Sequence, residues 1–193
     1  DNYHLIKDIY QQIEPFKDRL ARNLSGGMKQ KLALSCALIH KPSVLVLDEP
    51  TSAVDAVSRK EFWEMLLKLK TQGITILVST PYMDEASKCD RVGLIQKGQF
   101  LSIDKPEKII ADFPQILYAI KSTNTYRLLL DLRDFGSIDT VYPFGEYLHM
   151  TTREEEGKQE SILSFLKERG HEEVEMKEIE PVIEDCFMNL MNQ

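Results

Sequence analysis

The sequence predicts an α/β unit followed by a smaller α+β unit of ferredoxin-like order. Three observations lead there. Two short, wholly apolar runs rich in β-branched residues, Val44 to Leu47 and Ile74 to Val78, alternate with helix-period stretches. That is the pattern of parallel strands buried on both faces. From about Pro106 the order changes to strand, helix, hairpin, helix, strand and final helix. Hydrophobic residues at 42% and charged residues at 28% are ordinary globular usage and argue against a disordered chain.

The elements follow in order. Residues 3–21 carry Tyr3, Leu5, Ile6, Ile9, Ile13, Phe16 and Leu20 at roughly helical spacing, interrupted by Pro15. Asn23-Leu24-Ser25-Gly26-Gly27 is a turn and cap signal, and Met28 to His40 reads as a helix stopped by Pro42. The first apolar run ends on Asp48 and Glu49, the second on Ser79 and Thr80, with helices near Ser58 to Thr71 and Met83 to Lys88. Val92 to Ile95 and Phe100 to Ile103, joined by Lys97-Gly98, form a hairpin. Beyond it lie a strand at Ile116 to Ile120, a helix at Tyr126 to Phe135 and a hairpin around Pro143-Phe144-Gly145. A helix at Ser161 to Arg169, a strand at Val174 to Ile179 and a helix at Val182 to Met191 complete the order. The expected domains are 1–105 and 106–193, and the charged run Arg153 to Lys158 is a solvated loop. Trp63, with Phe62, Met65, Leu66 and Leu69, belongs to the core.

Composition narrows the function. The 193 residues carry 24 basic and 31 acidic side chains, a net charge of −7 and a pI near 5.2. This weighs against nucleic acid as a partner. No apolar run approaches the roughly 20 residues of a membrane helix. Three cysteines without motif spacing argue against a disulfide framework.

Two motifs carry chemistry. In Leu24-Ser25-Gly26-Gly27-Met28, two glycines open a helix whose N-terminal N–H groups and dipole suit an anion. The plainer reading is a serine N-cap. In Leu45-Val46-Leu47-Asp48-Glu49-Pro50, two acids stand at the tip of an apolar strand. Alternation sends them in different directions, so one can hold Mg²⁺ through a water while the other acts as a base toward a water nucleophile. The plainer reading there is a pair of solvated acids.

Taken together, about twenty residues apart with a helix between them, these motifs resemble the ATP-binding-cassette (ABC) ATPases, whose domain has the P-loop NTPase fold. LSGGMKQK resembles the family signature, VLVLDEP its Walker B strand and SAVD its D-loop. Ser79-Thr80-Pro81-Tyr82-Met83-Asp84-Glu85-Ala86 resembles the switch region of ABC-2-type exporters of the drug-resistance and sodium-extrusion kind. Glu180-Pro181-Val182-Ile183-Glu184-Asp185-Cys186-Phe187 resembles the close of their accessory domain. The resemblance implies that Ser25, Gly26 and Gly27 contact the γ-phosphate of ATP held by a second ATPase subunit, in a homo- or heterodimer. Asp48 would serve Mg²⁺, Glu49 would polarise the attacking water, and Asp55 would couple sites across the dimer. Separate transmembrane permease subunits are the implied partners, and the cytoplasmic face of a membrane is the implied location.

Two departures qualify it. Nothing in the sequence matches the phosphate-cradling G-x-x-x-x-G-K-[ST] loop. The expectation is therefore the C-terminal part of a longer subunit, inactive and without useful ATP affinity by itself. Pro81 stands where the family's switch histidine is expected, and it offers neither a side-chain donor nor a backbone N–H. Thr80 and Tyr82 are candidate substitutes, and the retained Glu49 favours slow hydrolysis over none. The alternatives are a soluble ABC ATPase acting on ribosome or DNA, and a non-catalytic regulatory or dimerisation module.

Overall fold

The computed structural model describes residues 3–153 and 158–191. They form two compact units, Asp1–Tyr82 and Met83–Gln193. Most of the charged run, residues 154–157, lies outside the described residues, whereas Arg153 is exposed.

The first unit runs α1 (Tyr3–Tyr10), two 3₁₀ turns (Glu14–Phe16, Ala21–Asn23), α2 (Gly26–Leu38), β1 (Val44–Asp48), α3 (Ala56–Thr71) and β2 (Thr75–Ser79). The starts of α2 and α3 each have a side-chain reason. Ser25 is extended and its hydroxyl oxygen accepts from the Met28 N–H at 3.3 Å, capping α2. Asp55 accepts from the Val57 and Ser58 N–H groups at 3.1 and 3.0 Å, capping α3. Ile6, Ile9, Ile13, Leu34, Leu38 and Leu45 are buried, as are Phe62, Trp63, Met65, Leu66 and Leu69 along α3. β1 and β2 pair in parallel register from Val44 opposite Thr75 to Asp48 opposite Ser79.

One expectation is corrected here. The two strands are not buried on both faces: Val44, Val46 and Leu77 are 55%, 66% and 62% exposed. The two-residue period and the register put these three on one face, with buried Leu45 on the other. Among the described residues, the helices of this unit shelter the Leu45 face alone.

The second unit begins before the change of pattern at Pro106. α4 (Met83–Ala86), the hairpin β3 (Val92–Gln96) and β4 (Gln99–Asp104), and α5 (Pro106–Ala111) precede the remaining elements. Lys97 and Gly98 turn the hairpin with φ of 49° and 77°, the left-handed pair a two-residue type I′ loop needs. Ala86, Val92, Leu94 and Ile109 share a core with Ile183 and Cys186, so this hairpin packs with the end of the chain. Burial pushes the Cys186 thiol up to about 11, which keeps it protonated and unreactive.

There follow β5 (Leu117–Lys121), α6 (Thr125–Asp134), β6 (Ile138–Phe144), β7 (Tyr147–Thr152), α7 (Lys158–Glu168), β8 (Glu175–Ile179) and α8 (Ile183–Met191). The sheet order is β6-β7-β5-β8, antiparallel throughout. With helices crossing from β5 to β6 and from β7 to β8, this is the expected ferredoxin-like arrangement. Ile120, Leu128, Leu132, Leu148, Met150, Ile162 and Leu166 are wholly buried beneath it. Pro143, which cannot donate to a ladder, sits on the edge strand β6, where that costs nothing.

A polar knot fastens α8 to the sheet. Asp185, fully buried, accepts from Tyr142 Oη at 2.8 Å and from the Val182 N–H at 2.8 Å, and lies 2.6 Å from His149 Nδ1. Phe144 stacks on the His149 ring at 4.1 Å. Burial opposes the charge on Asp185, but the bonds from His149, Val182 and Tyr142 outweigh it and hold the carboxyl below its ordinary value. The knot's contribution is therefore complete above the unfolded pKa of about 3.9 and is lost as pH falls through the lower folded value. Asp185→Ala should cost roughly 3 kcal/mol, since the buried Tyr142 and His149 and the part-buried Val182 N–H lose their acceptor. Urea unfolding at pH 7 measures the cost, and the gap between variant and parent should close as pH falls below 4.

Candidate functional site

β1 ends at Asp48, and the chain then breaks from the strand. Glu49 has φ of 42°, the left-handed region that a non-glycine residue rarely occupies. Holding a residue there costs of order 1–3 kcal/mol and needs a structure that over-determines it. Here the Glu49 N–H donates to the Ser79 carbonyl at 3.0 Å and lies 3.3 Å from Ser79 Oγ. The Glu49 carbonyl accepts from the Ser52 N–H at 3.3 Å, and the Ser52 hydroxyl donates to Glu49 Oε2 at 2.8 Å. Ser79, opposite Asp48 in the register, donates its hydroxyl to Asp48 Oδ1. Asp48 and Glu49 are both exposed, and no arginine pairs with either among the described ion pairs. Two carboxylates, oriented by two different hydroxyls, thus face the open end of a strand.

The glycines have a different reason from the one the sequence offered. A Cβ on Gly26 would lie 2.0 Å from the Ala53 carbonyl oxygen, and one on Gly27 would lie 2.8 Å from Ser58 Cβ and Oγ. The tip of α2 rests directly on the turn that caps α3. Asp55 belongs to that turn, and hydrogen bonds from Ser58 and Val57 hold its exposed carboxyl below the ordinary range. Ser25 is exposed and acts as the N-cap, the plainer reading; its exposure leaves the hydroxyl within reach of a ligand.

Pro81 is exposed, two residues beyond Ser79. Beside it, Thr80 Oγ1 accepts from the Tyr82 N–H at 3.1 Å, and the Arg59 guanidinium lies 4.6 Å above the Tyr82 ring. The structure therefore gathers the predicted residues into two sets. Asp48 and Glu49 share Ser79, with Pro81 close in sequence. Ser25, Gly26 and Gly27 stand with Asp55. Ser79 and Ser52 were missed as site residues, although the strand pairing that sets Ser79 opposite Asp48 is implicit in two parallel runs that end at those two residues.

Among the described residues, no three His, Cys, Asp or Glu side chains converge as a metal cage. The acids nevertheless fit Mg²⁺, which binds through one or two carboxylates plus substrate phosphates. No helix among the described residues is long and apolar enough to cross a membrane.

Residues 6–52 match the family model described as ABC transporter. The probable multidrug ABC transporter ATP-binding protein YbhF of Escherichia coli K12 is 33% identical over 184 residues, covering 94% of this chain and 31% of that protein. Nod factor export ATP-binding protein I of Rhizobium sp. strain N33 is 32% identical over 184 residues, covering 94% of this chain and 58% of its own length. The chain thus spans about a third to just over half of these relatives. The solved ADP conformation of MJ1267, an ATP-binding cassette of an ABC transporter, superposes with a TM-score of 0.50 at 24% identity, covering 58% of this chain and 45% of its own, a likeness of fold. Residues 6–52 thus carry part of an ABC transporter domain, and 94% of the chain aligns with ATP-binding proteins of ABC transporters.

Proposed function

We propose that this chain forms part of an ATP-hydrolysing subunit that powers a membrane exporter from the cytoplasmic face. The observation that carries the reading is the exposed pair Asp48 and Glu49 at the carboxyl end of a parallel strand, each turned by its own serine hydroxyl. Ligands of open α/β sheets bind at that end. Both relatives above are named for transport, one of them for export.

In the reaction proposed, a water oxygen bonds to the γ-phosphorus while the bond to the β–γ bridging oxygen breaks. Glu49 takes the proton that the water gives up, on the carboxylate that Ser52 orients. Asp48 would hold Mg²⁺ through a water, and the ion would neutralise charge on the β- and γ-phosphates. Ser25 and the N–H groups of Gly26 and Gly27 would meet the γ-phosphate of ATP seated on a second ATPase subunit. Asp55 would link the two sites, because the turn to which it belongs carries the tip of α2. Residues 1–105 would then be the ATPase portion and 106–193 an accessory domain. Permease subunits would carry the substrate.

Pro81 supplies no hydrogen bond to the transition state. One missing donor of this kind costs about 10²–10³ in rate. Pro81→His in the complete subunit should therefore raise kcat by at least about tenfold, read by steady-state phosphate release, and its effect should vanish in a Glu49→Gln background. An unchanged kcat would show that the donor is supplied elsewhere.

A further inference from the structure

We propose that Ser79 is a positioning residue for hydrolysis, one hydroxyl that aligns both acids of the site. The inference rests on the hydrolytic reading above and gives the serine that turns Asp48 there a second task, at Glu49. Ser79 is the last residue of β2, directly across the parallel register from Asp48. Its hydroxyl hydrogen goes to Asp48 Oδ1, and the same oxygen lies 3.3 Å from the Glu49 N–H as an acceptor. A hydroxyl can do both at once, donating one bond and accepting another. The result ties the side chain of one acid to the backbone of the next.

The geometry makes this more than a strand-end bond. Asp48 is exposed, so its carboxylate would otherwise sample several rotamers in water. Glu49 leaves the strand in the left-handed region, so the direction of its side chain depends on what fixes its N–H. The Ser79 carbonyl also accepts from that N–H at 3.0 Å. Removing the hydroxyl therefore leaves the strand pairing and the Glu49 backbone bond in place. What is lost is the shared alignment of Asp48 with Glu49. A misplacement of about 1 Å at a reacting centre can cost about 10²-fold in rate. Ser79 is itself exposed, so the extra methyl of threonine has room, and threonine suits a strand.

The test uses the complete ATPase subunit with Ser79→Ala, Ser79→Thr and Glu49→Gln. Three quantities are measured: kcat and KM for ATP, the Mg²⁺ dependence of ATP binding by calorimetry, and the unfolding midpoint. Ser79→Ala should lower kcat by about 10- to 10²-fold. It should also raise the Mg²⁺ concentration needed for half-maximal ATP binding, leave KM for Mg·ATP within a few-fold, and leave the midpoint unchanged. Ser79→Thr should restore both kcat and Mg²⁺ dependence. The proposal is overturned if Ser79→Ala matches the parent in kcat and Mg²⁺ dependence while Glu49→Gln is inactive. It is equally overturned if Ser79→Thr is as impaired as Ser79→Ala. A parent without ATPase activity would instead remove the hydrolytic reading itself, and a Glu49→Gln variant as active as the parent would remove Glu49 as its base.

Discussion

Glu49→Gln should reduce ATP turnover of the complete subunit by about 10²–10⁴-fold, the usual contribution of a positioned general base. The substitution is chosen for what it preserves. Glutamine keeps an oxygen that can accept the Ser52 hydroxyl, now 2.8 Å from Glu49 Oε2. The backbone bonds from Glu49 N–H to Ser79 and from Ser52 N–H to Glu49 do not involve the side chain. The site should therefore keep its shape and bind ATP within a few-fold of the parent while losing its proton acceptor. Equilibrium binding of ATP beside single-turnover phosphate release separates the two. Turnover that survives within tenfold would move the base to another group.

Gly26→Ala should be the most damaging single methyl in the first unit. Its Cβ would lie 2.0 Å from the Ala53 carbonyl oxygen, far inside van der Waals contact, and the obstacle is backbone rather than a side chain that can swing aside. Overpacking of this kind costs about 1–3 kcal/mol, occasionally more, and the upper end applies here. The chain can relieve it only by lifting the tip of α2 off the turn that holds Asp55. Gly136→Ala is the internal control, since nothing lies within 4 Å of its added Cβ. Its φ lies outside the left-handed range that strains an alanine, so the control should be neutral or slightly stabilising. Thermal unfolding of the two variants side by side reads the contrast. A Gly26→Ala midpoint equal to that of the control would mean that the tip and the turn are not in fact packed together.

The comparison of sequence with structure sorts by range of interaction. Local signals were legible: Ser25 as a cap, the apolar runs of β1 and β2, the Lys97-Gly98 turn, and the strand and helix order that yields the ferredoxin-like sheet. α5 was overlooked, although Pro106 at its first position is a helix-start signal; six residues give too little periodicity to read. Apolar content alone shows what the face carrying Val44, Val46 and Leu77 wants to bury and not whether a neighbour arrives; the sign of an uncovered apolar face was the unmatched phosphate-loop motif. The site divides in the same way. The acids and glycines announce themselves in single motifs, whereas Ser79 matters only through a register that spans the thirty-one positions back to Asp48. The reason for Gly26 was also hidden, since Ala53 meets it only after folding.

The backbone at position 49 has a consequence for anyone redesigning this protein. A glycine would occupy that left-handed conformation without steric penalty, so a search for sturdier variants would favour it and discard the acid. Thermostability and turnover are set against each other at one codon, and a robust, idle cassette is the product to expect from optimising the first alone.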